Sequence, residues 1–552
     1  MDKRWLKSYP QGVPEDISTD AFSSVVDVLD QSLQHFRHRA AFECLGQALS
    51  YAELDQLADR FAAYLQQGLA LKPGDRVAIM MPNLLQYPVV MFGALRAGMV
   101  VVNVNPKYTA GELAHQLSDA QVSAIVVAEN HIDTLQAALQ DCEVQHIITT
   151  QIGDLLELPR RLAVNFFNKY IIRSVPNWRM PITTALPEAL RQGQKLALIK
   201  PKLSHDDLAF LQYTGGTTGL AKGAELTHGN IVANLEQVSA WLKPSHSDEQ
   251  EIVVTALPLY HIFALTVNCL NFMKLGAKNL FIINPQDTAS AVREICKHRF
   301  TVITGVNTLF NGLLNTINFH EADFSQLKFT LGGGAAIHPR TAERWQELTG
   351  KPIIEGYGLS ETSPVAAVNP LDISTFTGSI GLPLPSTEFS LRDEKDQEVA
   401  EGEAGELCIR GPQVMRGYWG RPKDSKATMT KDGFLRTGDI ATCDRKGYFK
   451  IVDRKKDMIL VSGFNVYPNE IEALISSHPG VLECACVGVP DSNTGEAVKV
   501  YVVKADPKLK AEDLLKLCES KLTSYKRPRS IAFCDEIPKS SVGKILRRKL
   551  RP

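Results

Sequence analysis

Residues 213–223 are YTGGTTGLAKG, and they follow the apolar run LAFLQY at residues 208–213. An apolar run that ends in a glycine-rich turn is typical of a buried strand followed by a loop. Three glycines within five positions let the backbone turn tightly and bring its N–H groups against a ligand. The alternative is a flexible surface loop, but the apolar lead-in and the length of the string argue against it. The stretch therefore predicts a cradle for a polyphosphate.

The candidate phosphate-binding side chains in this stretch are hydroxyl groups and one cation. Thr214, Thr217 and Thr218 supply the hydroxyls, and Lys222 supplies the positive charge. No G-x-x-x-x-G-K-[ST] pattern fits the string, so it is not the usual P-loop.

Two further strings place a carboxylate on a turn. GYGLSET at residues 356–362 contains Glu361, an oxygen ligand of the kind that Mg²⁺ prefers. DGFLRTGD at residues 432–439 ends in Asp439, which suits a ribose diol. Each string alone is equally typical of an ordinary solvent-exposed turn, so their weight depends on their occurring together.

Outward from the phosphate loop, the first half of the chain alternates between helical and strand-like patterns. A capping box at residues 50–53 opens an apolar 3.6-residue periodicity, and residues 86–97 are also helical in pattern. Residues 77–81 and 99–102 are strand-like. Repeated strand–helix–strand units predict a largely parallel sheet with helices on its faces.

The pattern changes after about residue 375, where glycine-rich turns separate short strands. This spacing predicts a smaller antiparallel or barrel-like subdomain. The charged cluster DRKKD at residues 453–457 follows a predicted strand over residues 448–452. Beyond it a helix begins at Pro468, and a strand and an amphipathic helix follow at 498–503 and 511–522. We therefore place the last domain boundary at the charged cluster.

Composition excludes several classes of protein. The chain has 552 residues with 44% hydrophobic and 22% charged residues, as expected for a globular enzyme of several domains or subdomains. Lys plus Arg (60) balance Asp plus Glu (61), so nucleic acid is not an expected partner. No apolar stretch reaches the roughly 18 residues of a membrane-spanning helix, and the start has no apolar core of a signal peptide. We expect a cytoplasmic protein.

The ten cysteines predict neither a disulfide framework nor a metal site. Cys484 and Cys486 form a C-x-C pair without a second pair at ligand spacing. They lie in the apolar run VLECACVGV, so two residues on one face of a strand is a better interpretation than a zinc site.

One segment predicts contact with a membrane surface. Residues 158–187 contain five basic residues and no acidic one. Ala163, Phe166, Phe167, Tyr170 and Ile171 recur at helical spacing, as in a basic amphipathic helix that lies on an anionic membrane. A helix docked on the domain explains the same pattern equally well, so peripheral association with the inner face of the membrane stays open.

In this order and at these separations, the strings resemble the adenylate-forming superfamily of acyl-CoA synthetases, peptide-synthetase adenylation domains and beetle luciferases. The resemblance extends from about residue 45 to Arg548, and it includes SGFNVYPNEIE (462–472) and PKSSVGKILRR (538–548). Residues 432–456 are similar to the signature of fatty-acyl-CoA synthetases. Within the superfamily, the bacterial long-chain fatty-acid–CoA ligases are the most similar.

The resemblance implies an α/β fold with a large N-terminal domain at residues 1–455. This domain would contain two parallel α/β subdomains and, from about residue 375, a β-barrel. A small, mobile α+β C-terminal domain would occupy residues 456–552. The implied reaction joins a fatty acid to coenzyme A with ATP and Mg²⁺ through an acyl-adenylate, releasing AMP and pyrophosphate.

The resemblance also implies roles for individual residues. Thr214 and Glu361 would surround Mg²⁺. Asp439 and Arg454 would bind the ribose, and Tyr357 would pack on the adenine. The implied ATP-binding residues are Tyr213, Thr214, Gly215, Gly216, Thr217, Thr218, Gly219, Lys222, Gly333, Gly334, Ala335, Tyr357, Gly358, Thr362, Asp439 and Arg454.

Catalysis is implied for Lys544 and His261, together with Glu361. Lys544 matches a mobile lysine that bridges the carboxylate and the α-phosphate, although basic tails without a catalytic role are common. His261 matches an aromatic or His position beside the carboxylate, whereas a lone His in an apolar run is usually a core residue. The C-terminal domain would swing about Lys456. Ser462, Gly463 and Phe464 would then line the path of coenzyme A.

The acid is less well defined. Peptide-synthetase relatives usually carry an Asp where this chain has PLYHIFAL, and no acidic residue occurs between Glu251 and Asp287, so an amino acid is disfavoured. Small residues implied at the acyl pocket are Gly305, Gly332 and Gly334, which equally well serve only as turns. A medium-chain or aryl-CoA ligase, a luciferase-like monooxygenase, transfer to a carrier-protein thiol, a non-catalytic ATP-binding relative and a homodimer all stay open.

Overall fold

The computed structural model describes residues 3–180, 182–214, 221–245, 249–491, 493–540, 543 and 545–551. Gly215, Gly216, Thr217, Thr218, Gly219 and Lys544, all predicted site residues, lie outside these ranges. The described strands form four sheets. Two are largely parallel, as the alternation of strands and helices predicts.

The first sheet has a parallel centre with antiparallel edges. Its central strands carry apolar side chains with almost no exposure, as expected for a sheet covered on both faces. In spatial order the strands are Leu382–Pro383, Val365–Val368, Ile353–Gly358, Phe329–Gly332, Val302–Gly305, Ile252–Thr255, Lys278–Phe281, Ala40–Cys44 and Gln47–Ser50.

The second sheet is also parallel at its centre and antiparallel at one edge. In spatial order its strands are Gly417–Tyr418, Lys222–Thr227, Leu208–Thr214, Val100–Asn103, Arg76–Met80, Val122–Ala128, His146–Thr150 and Thr184–Ala185. The strands predicted at 77–81 and 99–102 are thus confirmed with a shift of one residue. The phosphate loop connects an antiparallel pair, in which Thr214 is the partner of Lys222.

The two remaining sheets belong to the later part of the chain. The barrel-like subdomain predicted from about residue 375 contains an antiparallel sheet of Glu388–Arg392, Gly405–Arg410, Leu435–Cys443 and Phe449–Arg454. The C-terminal sheet contains Phe464–Val466, Ile459–Val461, Gly495–Lys504 and Val481–Asp491, and Ser530–Phe533 pairs in parallel with Gly495–Lys504. The proposed boundary after residue 455 lies in the turn between these two sheets.

Helices cover the parallel sheets, and four of those described begin with a reciprocal capping box, including the predicted one at Ser50 and Glu53. The α-helices are Val25–His35, Tyr51–Ala63, Gln86–Arg96, Ala110–Asp119, Ile132–Ala138, Arg160–Phe166, Leu186–Gly193, His228–Leu242, Phe272–Lys274, Thr288–Ile295, Asn307–Leu314, Pro339–Thr349, Pro422–Thr428, Pro468–Ser476 and Ala511–Lys521. π-Helices follow at Tyr64–Gly68, Phe167–Ile171 and Ala264–Asn271.

Short 3₁₀ turns complete the described secondary structure. They are Arg4–Ser8, Glu129–His131, Lys243–Ser245, Phe319–Glu321, Ser360–Thr362, Ser524–Lys526 and Arg547–Lys549.

The C-x-C pair lies on a strand, as the sequence predicts. Cys484 and Cys486 are both buried in one apolar cluster of the C-terminal domain. Across the described ranges, no group of three or more His, Cys, Asp or Glu side chains could hold a metal ion. Within the same ranges, no helix is both long and apolar enough to span a bilayer.

Candidate active site

A cleft of about 2180 Å³ lies at the carboxyl ends of the parallel strands. This volume exceeds the roughly 300–1,000 Å³ typical of a single small-molecule site. The register explains why predicted residues from distant strings meet there, because Gly332 pairs with both Gly305 and Glu355. The predicted residues that line it are Tyr213, Thr214, Lys222, His261, Gly332, Gly333, Gly334, Ala335, Tyr357, Gly358, Glu361, Asp439, Arg454 and Lys456.

Asp439 is the centre of a polar cluster at one end of the cleft. Its carboxylate is 3% exposed and accepts a hydrogen bond from the Tyr357 hydroxyl at 2.6 Å. The other carboxylate oxygen pairs with Arg454 Nε at 3.1 Å, across the antiparallel strands that carry both residues. Burial and the adjacent Asp439 raise the pKa of Tyr357 well above its ordinary value. The cluster presents an aromatic ring, a carboxylate and a guanidinium group in fixed positions.

Glu361 is held by residues that the sequence analysis did not identify. The Tyr418 hydroxyl donates to Glu361 Oε1 at 2.8 Å, and Met415 N–H donates to the Glu361 backbone carbonyl at 2.8 Å. Burial and the nearby Glu361 raise the pKa of Tyr418 above its ordinary range, so the hydroxyl stays a donor. No local signal indicates this contact, because Tyr418 lies 57 residues away in an ordinary glycine-rich turn.

The described stems of the phosphate loop are anchored on both sides. Tyr213 donates its hydroxyl to Asp119 Oδ2 at 2.6 Å, and Arg421 pairs with the other Asp119 oxygen at 2.9 Å. Lys222 Nζ lies 2.9 Å from Asp424 Oδ2 and over the ring of Tyr418. The Lys222 ammonium group is therefore held beside the cleft by an ion pair with the surface residue Asp424. The bend itself lies outside the described residues.

His261 lines the cleft just before the buried π-helix Ala264–Asn271. Its Nδ1 accepts a weak hydrogen bond from Phe263 N–H at 3.3 Å. π-Helical turns are frequent at functional sites. The side chain is half-buried rather than sealed in the core, so it can contact a ligand in the cleft.

The C-terminal tail reaches the same cleft. Gly543 has φ +78°, and a Cβ placed on it would lie 2.2 Å from Thr308 Oγ1. Only glycine fits this approach to the start of the helix Asn307–Leu314. Gly543 N–H donates to Ser540 O, and Lys539 forms an isolated antiparallel bridge with Ile545. Lys544 itself lies outside the described residues, but its described neighbours Gly543 and Ile545 line the cleft.

Among the predicted residues that the structure describes, five do not line the cleft. Gly305 lies behind it, where its carbonyl accepts from Gly333 N–H at 3.2 Å. Thr362 is buried and bonds to the backbone of Leu359.

The remaining three are the residues predicted for the coenzyme A path. Ser462 and Gly463 have φ +50° and +83°. The Phe464 ring is 55% exposed and stacks on Tyr525 at 4.7 Å. They therefore lie on the surface of the C-terminal domain in this pose.

Glu355 is a further cleft residue that the sequence analysis missed. Burial raises the pKa of its carboxyl to about 7, although Ile337 N–H donates to it at 3.1 Å. Its position directly before the GYG string was the available signal. A carboxyl that titrates near neutrality inside the cleft can donate or accept a hydrogen bond there.

The apolar face of segment 158–172 points away from the domain. Its large apolar side chains are 51–69% exposed, and Ile182 is 82% exposed. The opposite face is attached by polar contacts, including Gly153 N–H to Asn165 Oδ1 at 2.8 Å and Arg160 Nη1 to Gly46 O at 3.1 Å. The exposed apolar residues are Leu158, Leu162, Phe166, Phe167, Tyr170, Ile171 and Ile172. The segment is thus attached to the domain through its polar face, and its large apolar side chains stay exposed.

Comparison with known proteins agrees with this architecture. The family described as AMP-binding enzyme matches residues 29–419, and the AMP-binding enzyme C-terminal domain matches residues 470–544. The chain is 55% identical to a long-chain-fatty-acid–CoA ligase of Escherichia coli O157:H7, over all of this chain and 98% of the relative. It is 54% identical to the ligase of the same name from Salmonella typhimurium, with the same coverage. The crystal structure of ATP-bound MatB from Rhodopseudomonas palustris has a TM-score of 0.81 at 28% identity, covering 95% of this chain and 98% of that one.

Proposed function

This chain belongs to the family of AMP-binding enzymes, and from that membership we propose that it ligates a long-chain fatty acid to coenzyme A. The reaction uses ATP and passes through an acyl-adenylate, with release of pyrophosphate and then AMP. The observation that carries the proposal is the single cleft that joins the Asp439 cluster, Glu361 and the tail residue Gly543. Full-length identity of 55% to a curated ligase supports the same activity.

The first half-reaction is attack of a carboxylate oxygen on the α-phosphate of ATP, which breaks the bond to pyrophosphate. A carboxylate is a poor electrophile at neutral pH, and the mixed anhydride with AMP activates it. Negative charge gathers on oxygen atoms during this step, so catalysis is mainly positioning and electrostatic stabilisation. We assign the positioning of the nucleoside to Tyr357, Asp439 and Arg454, because they form one hydrogen-bonded cluster at the cleft wall.

The loop stems are assigned to the triphosphate. Thr214 and Lys222 are paired across the antiparallel strands at the mouth of the loop. Displacement of Lys222 from the exposed Asp424 by a phosphate costs little, because surface ion pairs are weak. His261 is assigned to the carboxylate end of the substrate, since it lines the cleft before the π-helix. Lys544 is assigned to the reacting oxygens, because its neighbour Gly543 lies against Thr308.

The residues at Glu361 fit a magnesium ion. Mg²⁺ prefers oxygen ligands and is usually bound through one or two carboxylates together with substrate phosphates. Glu361 supplies a carboxylate and Thr214 a hydroxyl, and both line the cleft. The ion would neutralise phosphate charge in the first half-reaction. The Tyr418 hydroxyl bond to Oε1 leaves Oε2 of Glu361 available as a ligand.

The second half-reaction requires a different surface. The thiol of coenzyme A attacks the acyl carbonyl, forms the thioester and expels AMP. We propose that the C-terminal domain turns about Lys456 for this step, because the turn after Arg454 joins the two sheets. Ser462, Gly463 and Phe464, which lie outside the cleft in this pose, would then border the path of the thiol. Positive φ at Ser462 and Gly463 makes the loop narrow enough for a close backbone approach.

A panel of acids tests the proposed substrate. ATP–pyrophosphate exchange and AMP release are measured for acetate to oleate and for 4-coumarate, with and without coenzyme A. We expect the highest kcat/KM for long-chain acids and AMP release that depends on both acid and coenzyme A. Preference for 4-coumarate or a medium-chain acid would assign the rival ligase activity instead. Oxygen consumption with luciferin would identify a luciferase-like monooxygenase.

We also propose that the exposed segment contacts an anionic membrane surface, where fatty acids partition. An outward apolar face with the exposed basic residues Lys169, Arg173 and Arg179 beside it in the chain is the arrangement of an interfacial helix. Each basic residue near an anionic surface contributes about 1 kcal/mol. Attachment of the opposite face to the domain keeps the apolar face in this orientation.

Sedimentation with vesicles tests this contact. Charge reversal of the exposed Lys169, Arg173 and Arg179 should abolish binding to anionic vesicles, while wild-type protein binds them and not neutral ones. Charge reversal of the exposed Lys508, Lys516 and Lys521 is the matched control for total charge. Unchanged binding of the first variant, or equal loss in both, would remove the proposal without affecting ligation.

A further inference from the structure

One part of the cleft is apolar throughout and lies between the helix His228–Leu242 and the first parallel sheet. We call it the apolar arm and define it by six cleft-lining residues: Val238, Trp241, Leu242, Val267, Leu331 and Val365. All six are buried, and none carries a polar group except the indole nitrogen. The polar residues of the cleft, such as Thr214 and Glu361, lie on other strands and loops. The arm therefore suits a hydrocarbon chain and not a charged ligand.

The entrance to the arm is at Phe263, whose ring packs against the apolar cluster that contains all six arm residues. A Cβ placed on Gly333 would lie 3.1 Å from Gly356 O and 3.2 Å from the Phe263 ring. Gly333 and Tyr357 belong to the predicted adenine site, and Phe263 follows His261 by two residues. The entrance to the arm thus adjoins the residues assigned to the nucleotide and the carboxylate. A chain entering here would have its carboxylate beside His261.

Trp241 is the largest side chain of the arm and is fixed in orientation. Its indole N–H donates to Asn369 O at 3.2 Å, and the ring is 2% exposed. The ring of Tyr9 packs edge-on behind it, at 5.3 Å and 87°. The Tyr9 hydroxyl in turn donates to Pro383 O at 2.7 Å. Rotation of the indole would leave a buried N–H unpaired and displace Tyr9, so Trp241 is a rigid wall.

We propose that Trp241 forms the end wall of the apolar arm and thereby sets the longest acyl chain that the enzyme activates efficiently. The inference rests on the proposed ligase function and deepens it from a substrate class to a length limit. Methylene groups that fit the arm gain apolar contacts, whereas a methylene beyond the wall must displace a packed side chain. One methylene too many in a hydrophobic pocket changes kcat/KM by about 10–200-fold.

Two substitutions in the arm should shift the length preference in opposite directions. Trp241→Leu shortens the wall, and Val238→Phe fills the arm one helical turn before it. The readout is kcat/KM for saturated acids of 8–22 carbons, from AMP release with coenzyme A present. We expect the ratio of the 20-carbon to the 12-carbon acid to rise at least about tenfold in Trp241→Leu and to fall about tenfold in Val238→Phe.

Trp345 provides a matched control. It is as buried as Trp241, donates its indole N–H to Thr330 Oγ1 at 3.0 Å and packs on Phe310 and Phe319. It is not among the described residues that line the cleft. Trp345→Leu should therefore lower stability as Trp241→Leu does, but leave the ratio between chain lengths within about twofold of wild type.

The outcomes distinguish failure of the ligase function from failure of the chain-length limit. If wild-type protein activates no acid in the panel, the proposed function fails and the length limit with it. If wild-type protein is active and neither arm variant changes the ratio, Trp241 is only a packing residue and the inference is overturned. Should Trp241→Leu fail to fold, Trp241→Phe takes its place, because it keeps an aromatic ring but shortens the wall, and it should shift the ratio in the same direction. An equal shift in Trp345→Leu would also overturn the inference, because the effect would then be general.

Discussion

The nucleotide end of the cleft and the tail that closes it are built differently. Asp439, Tyr357 and Arg454 lie on strands of the large domain and bond to one another. The tail turn around Gly543 bonds mainly within its own domain and meets the large domain through contact with Thr308. The residues proposed to bind the nucleotide are thus fixed by a sheet, whereas we propose that the reacting lysine is carried on a domain that moves between the half-reactions. The two half-reactions should accordingly be separable by mutation.

Lys544→Ala should give the largest effect. Loss of one positive group at the developing negative charge should slow acyl-adenylate formation about 10²–10³-fold, as loss of a single oxyanion donor does. Pyrophosphate release measures this step. Thioester formation from synthetic acyl-adenylate should stay within a few-fold of wild type, because we propose that the C-terminal domain has turned Lys544 away for that step.

Lys521→Ala is the control for Lys544→Ala, since Lys521 is an exposed lysine of the same domain and is not among the described residues that line the cleft. It should leave both half-reactions unchanged. Near-normal pyrophosphate release in Lys544→Ala would refute the assignment of this lysine.

Gly463→Leu should give the opposite pattern to Lys544→Ala, with the loss in thioester formation and not in adenylation. A Cβ on Gly463 meets nothing within 4 Å in this pose, so adenylation should be nearly unaffected. Bulk on the proposed thiol path should lower thioester formation about 10²-fold, the cost of misplacing a reactant by about 1 Å. Rapid-quench measurement of each half-reaction gives the two rates separately.

Gly463→Ala distinguishes bulk from backbone strain. At φ +83°, both variants carry the strain of a left-handed residue, about 1–2 kcal/mol, but only Leu adds bulk. Equal losses in the two variants would assign the effect to strain. Equal loss of both half-reactions in Gly463→Leu would contradict the two-pose interpretation.

Sequence alone predicted groups that lie within short strings of unusual composition, but not the contacts between distant turns. Asp439 and Glu361 were identified because each lies in a short string of unusual composition. Tyr418 and the Gly543–Thr308 contact were missed, because their partners lie 57 and 235 residues away and no local pattern encodes that proximity. Periodicity predicted an amphipathic segment at 163–171. Periodicity could not give the direction of its apolar face, which depends on packing against residues such as Gly153.

Acidification should lower the free energy of unfolding of the large domain, and His228 is one cause. His228 is buried in the large domain, and its Nδ1 accepts from Val25 N–H at 3.2 Å. Burial lowers the pKa of His228 to about 4, with Asp207 and Asp27 opposing the shift. Below pH 6.5 the unfolded chain binds a proton that the folded chain does not. The free energy of unfolding should therefore fall by about 2 kcal/mol between pH 7 and pH 5 from this group.

Urea unfolding followed by tryptophan fluorescence measures the fall in the free energy of unfolding for the large domain alone. All five tryptophans lie before residue 456. Glu355 and Asp453 have raised pKa values of about 7 and 6, so their protonation stabilises the folded protein on acidification and opposes the effect of His228. The difference in pH dependence between wild type and His228→Asn therefore isolates the histidine. An identical pH slope in the two proteins would exclude the buried neutral histidine as the cause.

Tyr357→Phe should give the smallest effect and shows how far the nucleotide end is preorganised. The variant keeps the ring but removes the hydroxyl that donates to Asp439. Loss of one hydrogen bond costs about 1 kcal/mol, so KM for ATP should rise about fivefold. The contact orients Asp439 equally in the ground state and the transition state, so kcat should stay unchanged. A fall in kcat at constant KM would instead mean that Tyr357 acts on the reacting phosphate, and that the nucleotide end also moves during the reaction.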